Sequence, residues 1–224
     1  MNLKGHIMKT DTQLRNDVLA ELDWDPSINA TRVGVAVNDG VVLLTGQLDT
    51  FGEKQSVEKA VRRVAGVKAM AVELDVKLAP HHQRSDAEIA AAIETAFKWH
   101  ALIPQDRIQV KVEKGWVTLS GEVDWQYQRH NAELVVHPVT GVVGVNNTLT
   151  LREREGSEYV AQRIHDALTR YAEQQVKNIE VVVKADTATL RGTVASLAER
   201  DAVQAAAWSA PGISRIVNEL KVQA

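Results

Sequence analysis

Apolar positions in this chain recur in three phased sets. Leu14, Val18 and Leu22 keep an i, i+4, i+8 spacing, as do Ile89, Ile93 and Phe97, and Val160, Ile164 and Leu168. That spacing puts each trio on one face of a helix. Thr10-x-x-Gln13 and Ser85-x-x-Glu88 have the form of capping boxes, while the third set starts from the weaker Gly156-Ser157. Strict alternation follows each helix: Val33, Val35, Val37; Ile108, Val110, Val112; Ile179, Val181, Val183. It predicts a strand buried on one side. Asn38-Asp39-Gly40 and Glu113-Lys114-Gly115 read as hairpin turns, with Ala185-Asp186 in the third copy. A second strand carries Val42 and Leu44, Val117 and Leu119, Ala188 and Leu190 on its inner face. A second helix carries Val57, Val61 and Val64; Ala132, Val136 and Val139; Val203, Ala207 and Ala210. Pro138 and Pro211 fall in its last turn and predict a short or kinked helix in copies 2 and 3. A last strand spans Met70 to Val76, Val145 to Leu151 and Ile216 to Val222.

The same phrase closes the second strand each time: Leu44-Thr45-Gly46, Leu119-Ser120-Gly121, Leu190-Arg191-Gly192. Each key glycine is followed 20 residues later by another: Gly66, Gly141 and Gly212. These six glycines mark the repeat, and three copies in phase fix the architecture more firmly than any one propensity. The predicted class is α+β. It consists of three tandem α-β-β-α-β open-faced sandwiches, each a three-stranded mixed sheet with two helices on one face and a right-handed β-α-β crossover. The expected boundaries are an extension over 1–9 and repeats over 10–79, 85–152 and 157–224. Units of this size bury thin cores, and a chain without cysteine has no disulfide to reinforce them, so the repeats are expected to dock on one another. Short charged linkers agree with a fixed arrangement.

A net charge of −3 argues against a nucleic-acid partner. No segment is long and apolar enough to span a bilayer, and no apolar run of signal-peptide length opens the chain. A cytoplasmic location is expected, a periplasmic one only if a leader has been removed; the repeats begin just after Met8. His130 and His137 are seven apart and His81-His82 adjacent, neither at the helical spacing that sets two imidazoles on one zinc. Phosphate-loop, nucleophile-elbow and zinc-hydrolase patterns are all missing. The expectation is therefore no enzyme, with no catalytic residue, cofactor or metal.

The phrases Val117-Thr118-Leu119-Ser120-Gly121-Glu122-Val123 and Gly141-Val142 to Asn147-Thr148-Leu149 resemble the BON domain. Ala188-Thr189-Leu190-Arg191-Gly192-Thr193-Val194 and Gly212-Ile213 to Asn218-Glu219-Leu220 do the same in the third copy. In the first, Val72 replaces the asparagine. The resemblance covers about residues 10–223 and is closest to cytoplasmic proteins of several BON domains. It implies a binding module, chiefly for phospholipid membranes, acting in osmotic or envelope stress. A potassium-sensing relative implies a small-ligand or cation sensor as an alternative. A protein-interaction scaffold is a third, and a homo-oligomer is compatible with each.

Candidate contacts follow. Lys54, Lys59, Arg62, Arg63 and Lys68 form a basic run suited to an anionic surface, or else a solvated helix face with Glu53 and Glu58 interleaved. Trp24 and Trp99 occupy equivalent positions past the first helix and are expected to cap a core or meet a neighbouring repeat. Trp116 falls on the sheet face away from the helices, with Val41 and Leu43 its counterparts in repeat 1. Apolar residues there predict a cover, by another repeat or subunit ahead of lipid. Asn147 and Asn218 sit on the inner face and are expected to make structural hydrogen bonds.

Overall fold

The computed structural model describes residues 9–152, 179–184, 187–208, 210, 213 and 215–223. Repeat 1 runs α1 (Asp11–Trp24), β1 (Val33–Asn38), β2 (Val41–Leu48), α2 (Phe51–Arg63) and β3 (Ala69–Val76). Repeat 2 runs α3 (Asp86–Trp99), β4 (Ile108–Glu113), β5 (Trp116–Val123), α4 (Gln126–Val136), β6 (Gly144–Asn147) and β7 (Thr150–Leu151). In repeat 3 the described elements are β8 (Ile179–Lys184), β9 (Thr187–Val194), α5 (Leu197–Trp208) and β10 (Arg215–Val222). The helix expected on Val160, Ile164 and Leu168, the Ala185-Asp186 turn, Pro211 and Gly212 lie outside the described residues.

Each sheet has its second strand in the middle. β2 pairs antiparallel with β1 and parallel with β3; β5 and β9 do the same with their neighbours. This is the predicted α+β mixed sheet in three tandem copies. One expected strand is interrupted: β6 and β7 stop and restart around Thr148-Leu149, although the register with β5 is unchanged across the gap (Leu119↔Asn147, Glu122↔Thr150). α4 ends at Val136, just before Pro138, and is two residues shorter than α2.

Local chemistry explains why these segments hold their shapes. Thr10 and Ser85 accept from the N–H of Gln13 and Glu88, whose side chains reach back to the cap N–H groups. Caps of this kind are worth about 1 kcal/mol each. The hairpin tips take the mirror-image turn that suits twisted strands, with positive φ at Asp39 and Gly40 and at Lys114 and Gly115. A carboxylate at the start of the first helix then holds each tip. Asp11 accepts from the N–H groups of Asp39 and Gly40, and Asp86 from those of Lys114 and Gly115, at 2.8–3.1 Å. The key glycines have φ of 141° at Gly46, 129° at Gly121 and 132° at Gly192. At Gly46 and Gly121 a Cβ would collide with the carbonyl oxygen of Arg32 or Arg107 on the adjacent strand end. The recurring phrase therefore marks a point where two backbones meet.

Helices cover one face of each sheet and bury Leu14, Val18, Leu22, Leu44 and Val61 in repeat 1 and Ile89, Ile93, Phe97, Leu119 and Val136 in repeat 2. Two of the cores are shared between repeats. Phe51, the first residue of α2, belongs to the core of repeat 2, where its ring meets His137 edge-on at 5.3 Å. Leu197, the first residue of α5, is 3% exposed and belongs to the core of repeat 1. Around it the Gly66 N–H donates to Ala195 O at 3.3 Å, and Arg62 pairs with Asp201 at 3.0 Å. The repeats do dock, and α2 is the element that both neighbours grip.

Candidate functional site

The basic run on and after α2 is largely occupied within the fold. Lys54 Nζ donates to Leu74 O at 3.0 Å. Arg62 is committed to Asp201 of repeat 3, and Arg63 to Glu21 on α1 at 2.8 Å. The stem of Lys68 lies against Gly40 while its backbone N–H donates to the Gly40 carbonyl. Lys59 is exposed beside these contacts. The run thus ties helix to helix and repeat to repeat, rather than forming one outward cationic face.

Trp24 and Trp99 correct the expectation placed on them. They are 83% and 86% exposed, and neither caps a core. Each ends the first helix of its repeat, two residues past the last buried position, which turns it about 200° away from the core face. Their surroundings differ in charge. Trp24 stands between Asp23 and Asp25, and hydrogen bonds from Ser27 hold the Asp25 carboxyl below its ordinary pKa. Trp99 stands between Lys98 and His100, with Leu102 a further exposed apolar side chain, 52% accessible. Lys98 and His100 thus flank the indole of repeat 2, whereas around that of repeat 1 the cations Arg63 and Lys9 are held by Glu21, Asp25 and Asp17.

Trp116 lies on the open sheet face, as its alternation predicts, and among the described residues no other repeat covers it. The ring is 56% exposed, and Val41 in repeat 1 is 42% exposed. Lys111, Glu113, Lys114 and Thr118 line a shallow depression beside the ring.

The joint between repeats 1 and 2 gathers polar groups that the sequence did not connect. Asn147 donates to Arg129 O at 3.1 Å and to Glu133 Oε2 at 3.0 Å, and accepts from the Leu149 N–H. Asn218 bonds Gln204 and the Leu220 N–H in the same way. The asparagines are structural, as expected, but their partners are the second helix and the strand itself. Glu133 Oε1 lies 3.6 Å from His137 Nε2, just beyond hydrogen-bond reach. His137, then Asn147, hold the Glu133 carboxyl below its ordinary pKa against the cost of burial. Across the joint, burial raises Glu58 despite the pull of Lys54, Arg62 and His137.

These two carboxyls act oppositely on stability. Folded Glu133 releases its proton more readily than the unfolded chain, so its contribution is present above the ordinary carboxylate pKa and lost as pH falls through its lowered value. Folded Glu58 holds its proton longer, so its contribution is present below the ordinary pKa and lost as pH rises through its raised value. Glu58→Gln is accordingly expected to raise the melting temperature at pH 7, with the gain shrinking toward pH 4. A lowered melting temperature at pH 7 would show that the cations around Glu58 outweigh its burial.

Among the described residues no group of three or more His, Asp or Glu side chains is placed to hold a metal ion. No described helix is long and apolar enough to cross a membrane.

The sequence profile of the BON domain matches residues 10–77, 85–153 and 157–224. Osmotically-inducible protein Y of Escherichia coli (strain K12) is 30% identical over 153 residues, covering 66% of this chain and 76% of that protein. Among solved structures, CdsD, a structural protein of the type III secretion system of Chlamydia trachomatis, aligns over 92% of this chain and 90% of its own at 15% identity, with a TM-score of 0.25. The CdsD C-terminal domain aligns over 96% of this chain and all of its own at 14% identity, with a TM-score of 0.27. Superpositions this poor carry no argument about this chain.

Proposed function

The chain belongs to the BON domain family, in three tandem copies, and from that premise we propose a non-enzymatic binding module of the osmotic or envelope stress response whose target is an anionic phospholipid surface. The observation that supports this reading is the tip of α3. Lys98 and Trp99 at the end of α3, with Leu102 in the turn that follows, point outward from the core that Phe97 and Ile103 join, which is the composition of an interfacial anchor. Half-burying an indole of about 200 Å² at about 25 cal/mol/Å² gives about 2.5 kcal/mol. A lysine beside an anionic surface adds roughly 1 kcal/mol. The tip of repeat 1 has the same indole flanked by Asp23 and Asp25, and its cations Arg63 and Lys9 are already paired with carboxylates, so an anionic surface favours repeat 2. The cytoplasmic location expected from the sequence is part of this reading; recovery of the protein in osmotic-shock fluid would overturn that part.

Flotation of the full chain with vesicles of phosphatidylglycerol and phosphatidylcholine tests the assignment. Trp99→Ala is expected to weaken association about tenfold, which corresponds to about 1.4 kcal/mol. Lys98→Glu should weaken it further at low salt than at high salt. Trp24→Ala should leave it nearly unchanged. Equal losses from Trp24→Ala and Trp99→Ala, or none from either, would reject the α3 tip as the anchor.

A further inference from the structure

Trp116 opens β5 on the side of the sheet that the helices leave bare, and its neighbour across the parallel pair is Gly144 on β6. The indole lies on that glycine. A Cβ at Gly144 would stand 2.5 Å from Cζ3 and 2.6 Å from Cε3 of the ring. The Cε3–Cζ3–Cη2 side of the ring thus lies against the backbone at Gly144, and more than half of the residue meets solvent. The matching pairs elsewhere are Val41↔Ala69 in repeat 1 and Thr187↔Arg215 in repeat 3. A flat platform needs the large aromatic and the glycine together, and only repeat 2 has both.

What surrounds the ring decides its occupant. Lys111, Glu113, Lys114 and Thr118 border it in a depression of about 300 Å³, with Asn146 further along β6. On this face of β4, β5 and β6, Trp116 is the one apolar side chain. A second protein copy or an acyl chain would have to desolvate two lysines and a glutamate to cover a single ring. Single-stranded nucleic acid stacks on such rings but needs a cationic groove along its phosphates. Here Lys111 is paired with Glu113 at 3.0 Å, and the outward residues further along β5 are the neutral Ser120 and then Glu122, which holds Arg152. A pyranose fits both features. Its C–H face meets the negative face of the indole, and its hydroxyls, donors and acceptors at once, match Thr118, Asn146 and Glu113. Lys114, at the hairpin tip, adds a cation that favours a sugar bearing a carboxylate.

We propose that Trp116, seated on Gly144 and flanked by Lys111, Lys114 and Thr118, is a saccharide-stacking platform that takes an oligosaccharide, an acidic one ahead of a neutral one. The proposal is independent of the lipid reading, and its test uses no vesicles. The full chain is titrated separately with tetragalacturonate, chitotetraose and oligothymidylate while the Trp116 indole N–H is followed by NMR. Saturable shifts are expected from both saccharides at millimolar concentrations, tighter for tetragalacturonate and abolished by Trp116→Ala. Lys114→Glu, which leaves the ring and the glycine in place, should remove the preference for the acidic sugar and keep the response to chitotetraose. No shift from either saccharide, or one that persists at neighbouring amides in a folded Trp116→Ala, would overturn the proposal. So would a stronger response to oligothymidylate, which would make the ring a nucleobase platform instead.

Discussion

Gly121→Ala is expected to remove most of the folding free energy of repeat 2, about 3–5 kcal/mol, combining a non-glycine residue forced to positive φ with an overpacked backbone contact. The residue sits at φ 129°, and its added methyl would meet the Arg107 carbonyl, which is backbone and cannot swing aside. Gly34→Ala is the control within the same fold. Its added Cβ would meet Thr45 Oγ1, the end of a side chain that can rotate, and its φ is not positive. That variant should lose less than about 1 kcal/mol. Urea unfolding of the two variants beside the parent chain reads the difference. Similar midpoints for both would mean that the second strand can shift to make room, and that the phrase ending in glycine is not a fixed meeting of backbones.

Phe51→Ala is the second large effect. The side chain is 7% exposed, inserted into the core of repeat 2 from a helix of repeat 1. Truncating a buried phenylalanine costs about 3–5 kcal/mol. Because the lost contacts cross a repeat boundary, calorimetry should show repeats 1 and 2 melting together in the parent and apart in the variant. A single transition that moves by only a degree or so would show that the joint holds without this ring.

The fold was largely legible because its determinants are local. Capping residues at Thr10 and Ser85, alternating valines and hairpin glycines each act within a few residues, and three copies repeat the message. The interruption between β6 and β7 was not legible, since the alternation in Val145 to Leu151 is as regular as in the unbroken strands. The size of Trp24 and Trp99 suggests a core cap or a repeat contact, yet the helical period that places Leu22 and Phe97 inward already places them outward. Periodicity was the better guide, because a large amphipathic side chain packs only where the backbone aims it. The repeat contacts were hidden for a different reason. Phe51 and Leu197 both open a second helix, and nothing local distinguishes a first-turn apolar residue that completes a neighbour's core from one that completes its own. The basic run shows the same limit: Arg62 reads as a surface cation until Asp201 arrives from the far end of the chain.

The double grip on α2 bears on how such a chain is made. During synthesis the slot that Leu197 fills stays open until repeat 3 has left the ribosome, so the first sandwich must wait, partly uncovered, while the second can already close on Phe51. The order in which the repeats are made is therefore not the order in which their cores are completed.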